Sequence, residues 1–314
     1  MLLDRLEKRG LILLGGKGGV GKTTLAATVA AGLAQRGRRV CLVSTDPAHN
    51  LGHLFERPVG PQPVRIAPNL TAIELDPDET VTAHLAQVGG FLASVLPRGG
   101  KAEIERHLQR SRHAPGMAEA AILERLATLA EGIGQDHDHL VLDTAPTGHT
   151  LTLLSLPEVM TAWTDGMIAN RVEADRFAAR ARDMVTGRPA EDPRAAAIRD
   201  VLNQRRDRFA RLRARITDPA ATAFVAVTTP ERMPLLETQA LGRALAAADI
   251  PLSAIILNRV PAGWSQAQLE SRIASLLAEW TALPFLRVDN SGAEPAGIAA
   301  LETLARQIMP LPGR

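Results

Sequence analysis

The stretch LILLGGKGGVGKTTLAATVAAGL, Leu11 to Leu33, runs an apolar segment, a glycine-rich loop and a helical pattern together without a break. Within it, Gly16-Lys17-Gly18-Gly19-Val20-Gly21-Lys22-Thr23 fits G-x-x-x-x-G-K-[ST], and the strand pattern before it and helix pattern from Thr24 onward supply the context that motif requires. Glycines let backbone N–H groups converge on phosphate oxygens, and the start of the helix adds partial positive charge. Lys22 is spaced to reach β- and γ-phosphates and Thr23 to ligate Mg²⁺, so ATP and Mg²⁺ are the expected cofactors. The loop also carries a second lysine, Lys17, where one suffices.

Outward from the loop, short apolar runs recur at 11–14, 40–44, 70–76, 140–143, 223–229, 254–260 and 284–289. Several are apolar on consecutive residues, the pattern of strands covered on both faces of a parallel sheet, and helical segments separate them. This rhythm predicts a doubly wound, mostly parallel α/β fold of the P-loop NTPase kind. Two segments are helical for too long to serve only as cover. Residues 78–135 carry Val81, Leu85, Val88, Leu92 and Val95, then Ile122, Leu126 and Leu129, at helical spacing. Residues 165–217 repeat the pattern with Ile198, Val201, Leu202, Phe209, Leu212 and Ile216. We therefore expect a single ATPase domain over 1–314 with a helical subdomain built from 78–135 and 165–217.

Composition removes several function classes. Among 314 residues there are 6 Phe, 3 Trp and no Tyr, a poor supply for base stacking, and a net charge of +2 argues against a whole-protein nucleic-acid or membrane field. The single cysteine, Cys41, excludes an intrachain disulfide and any Cys-pair zinc motif and fits a reducing, cytoplasmic compartment. No apolar run is long enough for a membrane span. The histidines have no ligand-spaced partners, so no structural zinc or other structural metal is expected; His49 and His149 fall inside the two loops described next.

Two acidic strand ends follow the P-loop: STDPAHN at 44–50 and LDTAPTGHT at 142–150. In a parallel sheet both lie at the carboxyl edge with the ligand, where an aspartate can hold metal-bound water or orient an attacking water. Each aspartate alone is also an ordinary turn residue. GKGGVGKTT, STDPAHN, DTAPTGHTLTLLSLP and VTTPE, in that order, resemble the arsenite-pump ATPase (ArsA) family, which also contains the ATPase that targets tail-anchored membrane proteins. The resemblance implies that Lys17 reaches across a two-fold dimer seam to the partner's nucleotide, in the manner of an arginine finger. It further implies that Asp46 positions the attacking water, that Asp143 contacts the Mg²⁺ shell, that Asn258 reads adenine, and that Pro284 to Asn290 form the other wall of the base pocket. The alternative for Lys17 is a surface lysine that merely adds positive potential near the phosphates.

The resemblance implies a homodimer and leaves the effector open. Pump members bind metalloid through several thiolates, which this chain lacks. Targeting members hold zinc through a Cys-x-x-Cys pair, also absent, and grip a hydrophobic helix in an apolar, often methionine-rich groove. Met117, Met160, Met167 and Met184 are the methionines near the insert. Residues 171–215 hold 13 arginines against 7 acids, which reads as a nucleic-acid surface or as a solvated helix face, the second being the commoner outcome. The C-terminal LETLARQIMPLPGR is short, mixed in charge and proline-ended, unlike a membrane-docking helix. The expected function is therefore a targeting or chaperoning ATPase for hydrophobic membrane-protein segments. An energising subunit of an anion or arsenite pump is the alternative, and a partition-type ATPase on DNA a weaker one.

Overall fold

The computed structural model describes residues 2–46, 51–95, 101–144, 154–162, 164–166, 193–280 and 282–311. The chain divides into two compact units, one of Met1–Asp76, Leu129–Leu154 and Arg215–Arg314, the other of Pro77–Thr128 and Ser155–Ala214.

The first unit is organised around a sheet of nine strands: β1 (Leu11–Gly15), β2 (Val40–Ser44), β3 (Val64–Ala67), β4 (Leu70–Glu74), β5 (His139–Asp143), β6 (Thr222–Thr228), β7 (Leu252–Val260), β8 (Phe285–Asp289) and β9 (Met309–Pro310). Their order is β3-β4-β2-β5-β1-β6-β7-β8-β9. Every pairing from β4 to β8 is parallel, and the antiparallel pairs β3–β4 and β8–β9 close the two edges. The expected parallel α/β sheet is thus present, and each of the seven apolar runs forms a strand. β1, β2, β5 and β6 are buried at every residue, which is why they read as continuous apolar runs and not as alternating ones. The two edge strands escaped the sequence reading for the same physical reason: β3 has no fully buried residue and β9 is two exposed residues.

The helix after the P-loop, Lys22–Gln35, is apolar on all sides and buried almost throughout, with Leu25, Ala26, Ala27, Val29, Ala30, Ala31 and Leu33 in the main core. A helix that is hydrophobic all round belongs inside a domain.

The second unit is helical, with Pro77–Val95, Lys101–Ser111, most of Met117–Glu131 and most of Pro193–Thr217 as its principal described helices. Val81, Leu123, Leu126, Phe209 and Leu212 are buried there. Four arginines of Pro193–Thr217 are matched by carboxylates of the same unit. Glu124, itself buried, accepts from Arg205 Nε at 3.0 Å and Arg208 Nη1 at 2.7 Å. Arg206 pairs with Asp207 and Asp165, and Arg213 with Glu158. Such a surface offers fewer uncommitted cations to a phosphate backbone than the arginine count suggests.

Candidate functional site

Sheet order brings β2, β5 and β1 side by side, and their register levels the carboxyl ends: Asp143 lies opposite Ser44 on one side and Leu14 on the other. The P-loop leaves β1, the first acidic loop leaves β2 and the second leaves β5. Three motifs spread between residues 16 and 150 of the chain therefore start from one edge. Hydrogen bonds lace them together. Ser44 Oγ donates to Asp143 Oδ2 at 2.9 Å and accepts from the Asp46 amide at 3.2 Å, while the Thr45 amide donates to Asp143 O at 3.0 Å. Thr144 Oγ1 closes the other side on Leu14 O at 2.7 Å.

The P-loop conformation depends on its glycines at two positions. Gly21, the N-cap of the buried helix, has φ +90°, and a Cβ there would run into the Asn258 amide. At Gly16 a Cβ would collide with the carbonyl of Val227 on β6. No side chain caps the helix, so its first N–H groups face the loop, the arrangement that suits phosphate. Around Gly18 and Gly19 the space is open, whereas Val20 is buried beneath. Thr24, the third helical residue, holds its turn through its carbonyl, which accepts from Thr28 Oγ1 at 2.7 Å.

Both loop lysines are engaged by protein oxygens. Lys22, only 4% exposed, donates from Nζ to Lys17 O at 3.1 Å. Burial holds its pKa below the usual lysine range, and the carboxylates of Asp143 and Asp46 oppose that shift. Lys17 Nζ makes an ion pair with Glu237 Oε1 at 2.7 Å, in the helix Arg232–Ala247 that follows β6. Sequence reading missed Glu237 because a glutamate in a helix six residues beyond VTTPE carries no local signal.

Asp143 is fully buried, and burial raises its pKa to about 6, while the Thr23 and Ser44 hydroxyls and the Lys22 ammonium pull the other way. Its Oδ1 is buried without a hydrogen-bond partner. A costly orphan acceptor beside Thr23, Lys22 and Asp46 fits a hydrated divalent cation, which Thr23 and Asp143 would hold beside a nucleotide's phosphates. The residues present therefore fit Mg²⁺-nucleotide. Among the described residues there is no group of three His, Cys, Asp or Glu able to hold a metal on its own. Cys41 is buried in β2.

A pH prediction follows from Asp143. An acid whose folded pKa lies above its unfolded value keeps a proton that the unfolded chain releases, so between about pH 4 and pH 6 this residue lowers stability as pH rises, on the order of 3 kcal/mol in total. Asp143→Asn should melt several degrees above the parent at pH 7.5 and close to it at pH 4, measured without nucleotide. An equal shift at both pH values would contradict the burial account.

Beside the P-loop a hollow of about 840 Å³ opens between the end of β7 and the end of β8. Asn258 and Arg259 line it, together with residues 288–296 and, from helix Ile298–Gln307, Ala299, Ala300, Thr303, Leu304 and Gln307. Of the stretch Pro284 to Asn290, Val288, Asp289 and Asn290 line this hollow. Phe285 and Leu286 lie in the sheet core, and only residues at or beyond the strand end reach the opening. Asn258 Nδ2 donates to Val20 O at 2.8 Å, and Arg259 Nη1 donates to Gly19 O at 3.0 Å. Neighbouring strand residues ordinarily face opposite ways, but Arg259 adopts φ +53° and the β7–β8 register shifts between Leu257 and Val260, so both side chains meet the P-loop. His49 and His149, and Met167 and Met184, lie outside the described residues, as do 47–50 of the first acidic loop and 145–153 of the second.

Known proteins place this arrangement. The family model for anion-transporting ATPases (ArsA_ATPase) matches residues 9–308. The chain is 30% identical over 252 residues to ATPase ASNA1 homolog 1 of Paramecium tetraurelia, covering 79% of this chain and 74% of that protein. It is 32% identical over 267 residues to ATPase GET3 of Eremothecium gossypii, covering 79% and 71%. A putative arsenical pump-driving ATPase 2 of Aquifex aeolicus is 30% identical over 250 residues, covering 80% of each. That model spans the P-loop, both acidic strand ends and the hollow beside Asn258 without interruption, and the chain belongs to the ArsA family of ATPases.

Proposed function

We propose that this protein is a Mg²⁺-dependent ATPase that works as a nucleotide-switched homodimer and handles hydrophobic segments of membrane proteins in the cytoplasm. In this reading Lys22 and the P-loop amides bind the triphosphate, Thr23 and Asp143 hold the metal shell, and Asp46 orients the attacking water. Mg²⁺ supplies charge neutralisation between the phosphates. Asn258 and the 288–296 loop enclose the base. Lys17 acts on the nucleotide of the second subunit, so turnover reports closure of the dimer.

The observation that carries the client assignment is a hollow of about 370 Å³ within the helical unit. Val88, Ile198, Val201 and Leu202 of the two stripes read in the sequence supply its apolar wall, together with Phe91. Those residues remain half-buried, whereas Phe209 and Leu212 further along the same helix are fully packed. An apolar stripe that fails to close on itself supports a surface for another hydrophobic element. The names GET3 and ASNA1 among its relatives support the same reading. A role in driving an anion pump is favoured by the Aquifex aeolicus relative's name, but the buried Cys41 offers no thiolate set for a soft ion. Among the described residues no helix is long and apolar enough to cross a membrane.

The test is capture of a fluorescent transmembrane-segment peptide by the Asp46→Asn protein with ATP and with ADP. Capture should be several-fold stronger with ATP, and Phe91→Asp or Leu202→Asp, each checked by its melting transition, should remove most of it. Equal capture in both nucleotide states, or equal capture by folded Phe91→Asp protein, would reject the groove.

A further inference from the structure

Two neighbouring residues of β7 hold the P-loop from outside. Asn258 Nδ2 donates to Val20 O at 2.8 Å and Arg259 Nη1 to Gly19 O at 3.0 Å, so two successive carbonyls of the loop are drawn toward β7. A trans peptide is planar, and its C=O and the following N–H point in opposite directions. A carbonyl tethered toward β7 therefore turns the next amide away from β7. By this geometry Arg259 aims the Val20 N–H, and Asn258 the Gly21 N–H, across the loop. Among the described residues neither amide has a protein acceptor, and successive N–H groups aimed together in a glycine-rich turn are a cradle for an anion.

We infer that Arg259 is a positioning residue for phosphate binding: by holding the Gly19 carbonyl it presets the Val20 amide to meet a nucleotide's phosphates. This deepens the nucleotide reading above and rests on it. The backbone carries the same message. Arg259 has φ +53°, a left-handed conformation that is unfavourable for a residue with a Cβ. Its side chain is exposed, so core packing does not demand that conformation. What the conformation achieves is to bring two consecutive strand residues to one loop; in a regular strand Asn258 and Arg259 would point to opposite faces. Backbone held in a sparsely populated region beside a ligand edge is a pointer to function.

The loop has need of such a tether. Gly18 and Gly19 carry no side chains to pack, the space around them is open, and Gly19 itself has φ +82°. Without Arg259 the Gly19–Val20 peptide samples more orientations, and the nucleotide has to order it on binding. Arg259 also lines the hollow beside the loop, where a guanidinium can stack on a base or simply add positive potential. Those two roles predict different losses from the tether.

The experiment measures binding of a fluorescent ADP analogue with Mg²⁺, and its displacement by inorganic tripolyphosphate, for the full chain and two variants. Arg259→Met keeps an aliphatic stem and loses the donor; Arg259→Gly loses the donor and also relieves the positive φ. Both should bind the ADP analogue and tripolyphosphate roughly fivefold more weakly than the parent, and the loss should persist at about 0.5 M salt. Without ligand, Arg259→Gly should melt above Arg259→Met, since only glycine adopts this backbone freely. A loss confined to the ADP analogue would make Arg259 a base-stacking residue, and a loss that disappears at high salt would make it a source of general potential; either overturns the positioning role. Parent-like affinity of both variants refutes it as well and leaves the nucleotide site standing. If the parent itself binds neither ligand, the nucleotide reading fails and this inference with it.

Discussion

Asp46→Asn protein should bind Mg²⁺-ATP as tightly as the parent and turn it over at least about a hundredfold more slowly, leaving ATP bound after gel filtration. Asparagine keeps the size of the aspartate and its backbone, so the amide of residue 46 still donates to Ser44 Oγ and the strand ends stay laced. What is lost is a negative charge able to orient water. The contribution of a single proton-handling group to hydrolysis is typically in the range of 10²–10⁴. Steady-state turnover near the parent's would remove Asp46 from the chemistry. Loss of binding together with turnover would show instead that the residue matters for the fold of the loop.

Lys17→Ala carries the second large effect. A cation brought to the phosphates in the transition state contributes roughly 10³–10⁵ in rate in systems where it arrives from outside the binding site. Removing Lys17 should therefore cost about 10³ in turnover, yet leave nucleotide affinity within a few-fold, since Lys22, the helix N-terminus and the loop amides hold the ground state. If Lys17 merely adds positive potential, affinity and turnover should fall together by a few-fold, with stronger dependence on salt.

Much of the fold was legible because burial leaves a direct mark on composition. β1, β2, β5 and β6 are covered on both faces, so their apolar runs are continuous and easily separated from helix. β3 and β9 carry no such mark, since an edge strand with exposed residues has little hydrophobic pattern to show. The P-loop was legible for a different reason: its glycines are required by φ values and by close approach of Val227 O and Asn258, constraints few other residues satisfy. Ser44, Glu237 and Arg259 were not. Each acts on a residue 99, 220 or 240 positions away, and nothing in its local sequence records the partner. The hollow beside the P-loop was legible only on one side, because Asn258 lies near the end of a clear strand whereas the loop 290–297 has no periodicity by which to place it.

The helical unit shows how a pattern can be right while its meaning stays open. The stripes on Pro77–Val95 and Pro193–Thr217 predicted helices, and helices form. Spacing alone could not say where along them packing would stop. Phe209 and Leu212 are closed in, while Ile198, Val201 and Leu202 border a hollow whose rim is the Glu124–Arg205–Arg208 cluster. Of the arginine run that suggested nucleic acid, Arg205, Arg208 and Arg213 pair with carboxylates on neighbouring helices. Charge counted along the chain does not show this pairing.

The central claim is that hydrolysis in one subunit uses a lysine of the other, and mixing two inactive proteins tests it most directly. Lys17→Ala subunits bind nucleotide but lack the crossing cation; Lys22→Ala subunits keep Lys17 but lose the ammonium that holds the phosphates. Neither should turn ATP over alone. A mixed dimer has one complete site, the nucleotide on the Lys17→Ala chain completed by Lys17 of the Lys22→Ala chain. Since equal mixing makes half the dimers mixed, each with one working site of two, turnover should return to about a quarter of the parent's. No recovery, with mixed dimers demonstrated by affinity tags on the two chains, would show that Lys17 does not act across the seam.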